Sequence, residues 1–175
     1  MAKGIEGKKE VPLKDMPAEK KFAILSQINR MAHFEWRRAA LALCPSVKPM
    51  DLVLRYWEEV GHDTADAYLK RMDRNKPIAP QIAGSFIWSS RSMGEDAYLY
   101  EGDNPKEAYM VHRGCPWAEF HKREGLLEED QPGCDKWLEV LIDDINKELG
   151  CNVKWETLES LPAGGSACIR RLWED

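Results

Sequence analysis

The sequence predicts an α+β fold: N-terminal helices packed on an antiparallel sheet of strand–strand–helix–strand–strand order. Three observations lead there. Residues 18–72 carry apolar positions at helical spacing. Residues 95–113 alternate in the manner of a β-hairpin around a Gly-Asp-Asn-Pro turn. A helical stretch at 135–149 then separates that hairpin from two further strand-like stretches.

The elements follow in order. Residues 1–17, rich in lysine and ending at Pro17, read as a flexible basic arm; residues 18–175 read as one α+β domain, mainly helical over 18–93 and sheet plus helix over 94–175. A long helix is expected from Ala18 to Leu43, because Phe22, Leu25, Ile28, Ala32, Trp36, Ala39 and Leu43 line one face. Two prolines in "CPSVKPM" end it. A second helix is expected from Met50 to Met72, bent at Gly61, with Asp51 at the positive end of its dipole. "RNKPIAPQIAGSFIWSSRSMGED" has two prolines and two glycines and reads as a loop with one helical turn, its Phe86 and Trp88 facing a cavity. Tyr98 and Tyr100 alternate on the first strand of the hairpin, and Tyr109 and Val111 on the second. The next helix is expected at Asp135–Leu149, closed by Gly150. "CNVKWETLES" and "SACIRRLWED" are the last two strands, joined by "LPAGG".

Composition narrows the functional classes. Hydrophobic residues make up 43% of the 175, a globular proportion. The net charge of −5 argues against nucleic acid, which needs a dense cationic face. No apolar run approaches the roughly 18 residues of a membrane span, and the opening residues lack the apolar core of a signal peptide. A cytoplasmic protein is expected. Its five cysteines are an odd number, and a reducing compartment disfavours a disulfide framework.

The chemistry concentrates around "HRGCPWAEF" (112–120). His112 ends a strand, and Cys115 follows a turn at Gly114. Cys134 is expected at a helix start, where the dipole lowers a thiol pKa. Cys168 follows the double-glycine turn. All four stand at element ends, where side chains can converge. Three readings stay open. Sulfur and imidazole together suit a divalent ion, zinc above all, although no CxxC pair is present. Alternatively Cys115 is a nucleophile with His112 or His121 as its base. Or the cysteines simply pack in the core. His33 reads as a satisfied or rim histidine and His62 as a solvated one. Trp88, beside Ser89, Ser90 and Arg91, suits a small polar or aromatic ligand.

"CPWAEFHKREG", Cys134 and "LPAGGSACIRRLWE" together resemble the L-2-amino-thiazoline-4-carboxylic acid hydrolase family, with Cys115-Pro116-Trp117, Cys134, Gly164-Gly165, Cys168 and Trp173 at the matching positions. The layout is also similar to vinyl-4-reductase-like ligand-binding domains, some of which hold zinc through cysteines; Cys134 and Cys168 match, and Ser160 stands where a further ligand is expected. These resemblances imply a hydrolase acting on a C–N bond of a small cyclic substrate, such as an amino-thiazoline carboxylate. Cys115, His112 and His121 would be catalytic. Trp88, Arg91 and Trp117 would hold the substrate, and His112, Cys115, Cys134 and Cys168 would hold a divalent metal, zinc first. The alternative is a non-catalytic small-molecule or zinc-binding module, a sensor or an accessory subunit of a larger enzyme. The expected partners are a small molecule, a second copy or a larger enzyme, with neither nucleic acid nor membrane.

Overall fold

A computed structural model describes residues 14–175. The arm expected at 1–17 thus lies outside the described residues, except for its exposed last four. The element order is α1 (Ala18–Leu43), α2 (Pro49–Leu69), α3 (Ile78–Ser92), β1 (Asp96–Glu101), β2 (Glu107–Gly114), α4 (Pro116–Glu124), α5 (Leu127–Leu149), β3 (Val153–Glu159) and β4 (Cys168–Glu174). The strands form one antiparallel sheet in the order β1-β2-β4-β3. Helices first and then an antiparallel sheet is the α+β arrangement the sequence predicts.

The register decides what meets inside. Ala108 lies opposite Leu172, Met110 opposite Arg170, and His112 opposite Cys168. All six are buried, so they form the inward row of β2 and β4. That row packs under α3 and α5 with Ile82, Phe86, Leu138, Leu141, Ile142 and Ile145. α2 closes the other side of α5 through Val53, Trp57, Ala65 and Tyr68.

Three expectations are corrected. The segment from Arg74 to Asp96 is not a loop: residues 78–92 form α3. Pro80 sits in the first turn, where its missing N–H would have had no helical partner anyway. The carboxylate of Glu174, from β4, accepts the Ile78 and Ala79 N–H groups at 2.5 and 2.8 Å and caps the helix. Second, residues 116–124 form α4, with Pro116 at its first position and Gly125 in the left-handed conformation at its end. Third, α5 begins at Leu127 rather than Asp135 and runs through Pro132 and Gly133.

Two glycines are used for close approach. A Cβ on Gly133 would stand 2.5 Å from Trp57 Cδ1, so glycine lets the indole lie on α5. A Cβ on Gly61 would stand 2.8 Å from Val140 Cβ, where α2 and α5 touch. Alanine in a helix is normally favoured over glycine by ~1 kcal/mol. At Gly61 the clash outweighs this, and Gly61→Ala is expected to destabilise by ~1–3 kcal/mol. At Gly84 the nearest atom to an added Cβ is Leu99 Cδ2 at 3.7 Å, so Gly84→Ala should be neutral or stabilising. Denaturant midpoints at constant m-value read the difference.

Candidate functional site

A cavity of about 40 Å³ lies between the sheet and the helices. Its walls come from nearly every element: Trp57 of α2, Phe86 of α3, Glu95 before β1, and His112 at the end of β2. Cys115, Trp117 and His121 come from the start and body of α4; Asp130, Cys134 and Trp137 from α5; Cys168 and Arg170 from β4. The structure therefore brings together His112, Cys115, Trp117, His121, Cys134 and Cys168, all singled out in the sequence. It leaves two others out. Trp88 is exposed on the outer side of α3, under the Arg71 guanidinium at 5.4 Å. Arg91 donates to the Ala97 carbonyl at 2.6 Å and lies over Tyr98.

Glu95, Asp130 and Arg170 were missed by the sequence reading. Their signals were faint: an acid between a glycine and a strand, one acid among several, and an arginine at an inward strand position. Each is polar, buried or nearly so, and built in by contacts from distant parts of the chain. Arg170 donates from Nη2 to Asp135 Oδ1 at 3.1 Å. His112 Nε2 is 3.1 Å from Ser90 Oγ and 3.4 Å from Glu95 Oε2. His121 Nδ1 faces two acceptors, the Trp117 carbonyl at 3.0 Å and Asp130 Oδ2 at 2.8 Å, so hydrogen bonding places its proton there. The other nitrogens have no protein partner among the described residues: His112 Nδ1, His121 Nε2 and Arg170 Nε.

Burial sets the protonation states. Desolvation, then the Arg170 charge, lowers His112 from its ordinary 6.5 to about 4. Desolvation raises Glu95 from its ordinary 4.5 to about 7. It also raises the Cys134 thiol to about 12 and lifts the Cys115 thiol well above its ordinary range. The dipole-lowered thiol expected at Cys134 is thus corrected. Cys134 lies two turns into α5, beyond the short reach of the helix terminus, and desolvation dominates. His33 is corrected too. It is neither at the rim nor hydrogen-bonded to any described residue. It is buried among the Phe34, Tyr56, Trp57 and Trp117 rings at 4.7–5.7 Å, and its pKa falls to about 4. His62 is solvated as expected, 2.5 Å from Asp144.

The metal site is corrected as well. Among the described residues no group of three or more His, Cys, Asp or Glu is placed to hold a metal ion. His112 Nε2 is turned to Ser90 and Glu95, while Cys168 Sγ accepts the Leu161 N–H at 3.3 Å. His112 and Cys168 are cross-strand neighbours, but their polar atoms serve other partners.

No protein-family model and no curated protein matches the chain. A solved structure does: trafficking protein particle complex subunit 3 from Naegleria fowleri, covalently bound to palmitic acid. It aligns with a TM-score of 0.52 at 13% identity, over 87% of this chain and 96% of that one. The likeness is one of fold. It overturns the hydrolase expectation, since the protein sharing the fold is a complex subunit and not a C–N hydrolase. Burial pushes the Cys115 thiol, expected as the nucleophile, up and favours its protonated form. No described helix is long and apolar enough to cross a membrane.

Two predictions follow from burial. Exposed Cys44 should be alkylated first at pH 8, while Cys134 and Cys168 stay protected until unfolding; peptide mass spectrometry reads the order. The second concerns pH. Between pH 4.5 and 6.5 the unfolded chain holds a proton on His33 and on His112 and none on Glu95; the fold holds the reverse. Unfolding there takes up a net of about one proton, so stability should rise with pH by about 1.4 kcal/mol per unit from these groups. Glu95→Gln removes the opposing contribution and should steepen that slope to about 2.7 kcal/mol per unit, read from denaturation at several pH values.

Proposed function

We propose that the chain is a non-catalytic accessory subunit of a larger assembly, joined to it through α1. One observation carries this. α1 has two sides, and only one of them meets the rest of the described residues. Arg30, His33 and Phe34 are its buried residues, and Arg37 grips buried Glu129 with both ends of its guanidinium. At roughly 100° per residue, a second stripe runs along a different side. There Phe22 is 44% exposed, Leu25 65%, Ile28 56%, Trp36 75% and Leu43 83%.

Residues 18–29 are exposed apart from the half-buried Ser26. A helical stretch with no tertiary packing is marginal in water, so this one calls for a cover. The stripe extends into an open groove of about 550 Å³ between α1 and α2, walled by Trp36, Leu52, Val53 and Tyr56. Apolar residues spaced three and four apart suit a helix laid alongside. The fold shared with a trafficking-complex subunit supports the same reading. The free cysteines suit a reducing compartment, which supports a cytoplasmic setting.

The acylation seen in that subunit is not carried over. A cavity of about 40 Å³ holds on the order of one to three waters, far less than a long acyl chain. The resemblance of residues 112–173 to the amino-thiazoline hydrolase family is retained only as a proposal about common descent, separate from activity.

The isolated chain should associate with rising concentration, its uncovered stripe pairing for want of the partner. Leu25→Glu with Trp36→Glu should weaken that association by a hundredfold or more, the scale of two buried anchors at ~1.5–2 kcal/mol each, and leave the melting temperature unchanged. Sedimentation velocity and a thermal melt read both. A parent chain that stays monomeric at high concentration, with residues 18–29 stably helical, would overturn the reading.

A further inference from the structure

The cavity makes two polar demands that no described residue meets. Arg170 is 2% exposed and permanently cationic, and its Nε–H points to no acceptor. His121 is also 2% exposed; with its proton on Nδ1, its Nε2 is a bare lone pair without a donor. His112 adds a further unpartnered nitrogen, Nδ1. Buried polar atoms left this way are costly. The cavity therefore calls for an occupant that accepts at one end and donates at the other.

A second observation concerns access. Cys115 lines the cavity, and it also lines an open groove of about 330 Å³ on the surface. It is thus the residue that the two walls share. Arg113 and Lys122 stand on the groove against a single carboxylate, Glu119. A cationic mouth outside and a cation within favour an incoming anion. The carboxylates inside do not cancel this. Asp130 is engaged by His121, and burial favours the neutral form of Glu95.

We propose that the cavity is a binding site for a small carboxylic acid of formate size, admitted past Cys115. Its carbonyl oxygen accepts from Arg170 Nε–H, and its O–H donates to a bare imidazole nitrogen. Size limits the class: the volume admits about three heavy atoms, so acetate stands at the upper limit and phosphate is too large. Shape agrees, since a planar ligand fits between the Trp57, Phe86, Trp117 and Trp137 rings. This site is independent of α1 as a docking helix, and either reading can fail without the other.

The test is a titration of the full chain with ¹³C-formate, followed by NMR at pH 6, beside nitrate and formamide at the same concentration. Saturable formate binding is expected. Nitrate lacks the donor and should bind at least ~tenfold more weakly, while formamide, with the same acceptor and donor, should bind within ~tenfold of formate. Arg170→Met should weaken formate by ~tenfold or more. Because that variant leaves Asp135 without its partner, Cys134→Met serves beside it: it fills the cavity, keeps the charge, and should abolish binding in a chain whose melt shows it folded. No saturable formate binding in the parent would overturn the proposal. So would formate binding unchanged in folded Cys134→Met, or nitrate binding as tightly as formate.

Discussion

The constraint on which the rest depends is the burial of Arg170 on the inward face of β4. A guanidinium cannot shed its charge, and a buried charge is tolerated only where hydrogen bonds and counter-charges surround it. Its place in the sheet is fixed by register, opposite Met110 and next but one to Cys168. α5 has to cross that face, bringing Asp135 to the guanidinium and Asp130 to His121. This explains why α5 continues through Pro132 and Gly133 toward its N-terminus. Pro132 forfeits a backbone bond to Glu128, and Gly133 admits the Trp57 ring; in return the turn holding Asp130 is carried into the cavity wall.

Much of this was legible. The stripe from Phe22 to Leu43 fixes α1 at Ala18–Leu43, since no breaker interrupts it before Cys44-Pro45. The hairpin and the two final strands could be read from alternation and turn chemistry, because they need only local information. The convergence of His112, Cys115 and Cys168 could be read too, since element ends on one side of a sheet meet; Cys134 joins them from inside α5, not from its start. What was hidden depends on distant partners. α3 reads as a loop because its N-terminal N–H groups are capped by Glu174, most of the chain away. α4 and the first turns of α5 were hidden by prolines that suit a helix start in one case and are tolerated inside a helix in the other.

The thiols show why residue type alone misleads about chemistry. A cysteine expected at a helix start, beside histidines, has every local mark of a reactive one. Whether the thiolate forms is decided by solvation, which is a property of the packed molecule. Here the indoles of Trp57, Trp117 and Trp137 and the phenyl ring of Phe86 exclude water from the same cavity. In that setting nearby carboxylates oppose the thiolate further, and the Arg170 charge only partly offsets desolvation at Cys134. The same desolvation keeps His112 neutral. The cluster is therefore mostly uncharged, apart from Arg170 and its counter-ions, and suits holding a ligand better than attacking one.

α1 joins the two halves of this picture. Its inner side is part of the scaffold of the cavity: Phe34 meets the His121 ring at 4.8 Å, and His33 meets Trp117 at 5.6 Å. Arg30 donates to the Met93 carbonyl at 2.7 Å, two residues before Glu95. The helix is thus anchored by its C-terminal half to the walls around the ligand site, while its N-terminal half stands free. The stripe cannot turn inward without tearing out Arg37 from Glu129 and Phe34 from His121. Its apolar surface is fixed facing outward by the same contacts that shape the cavity.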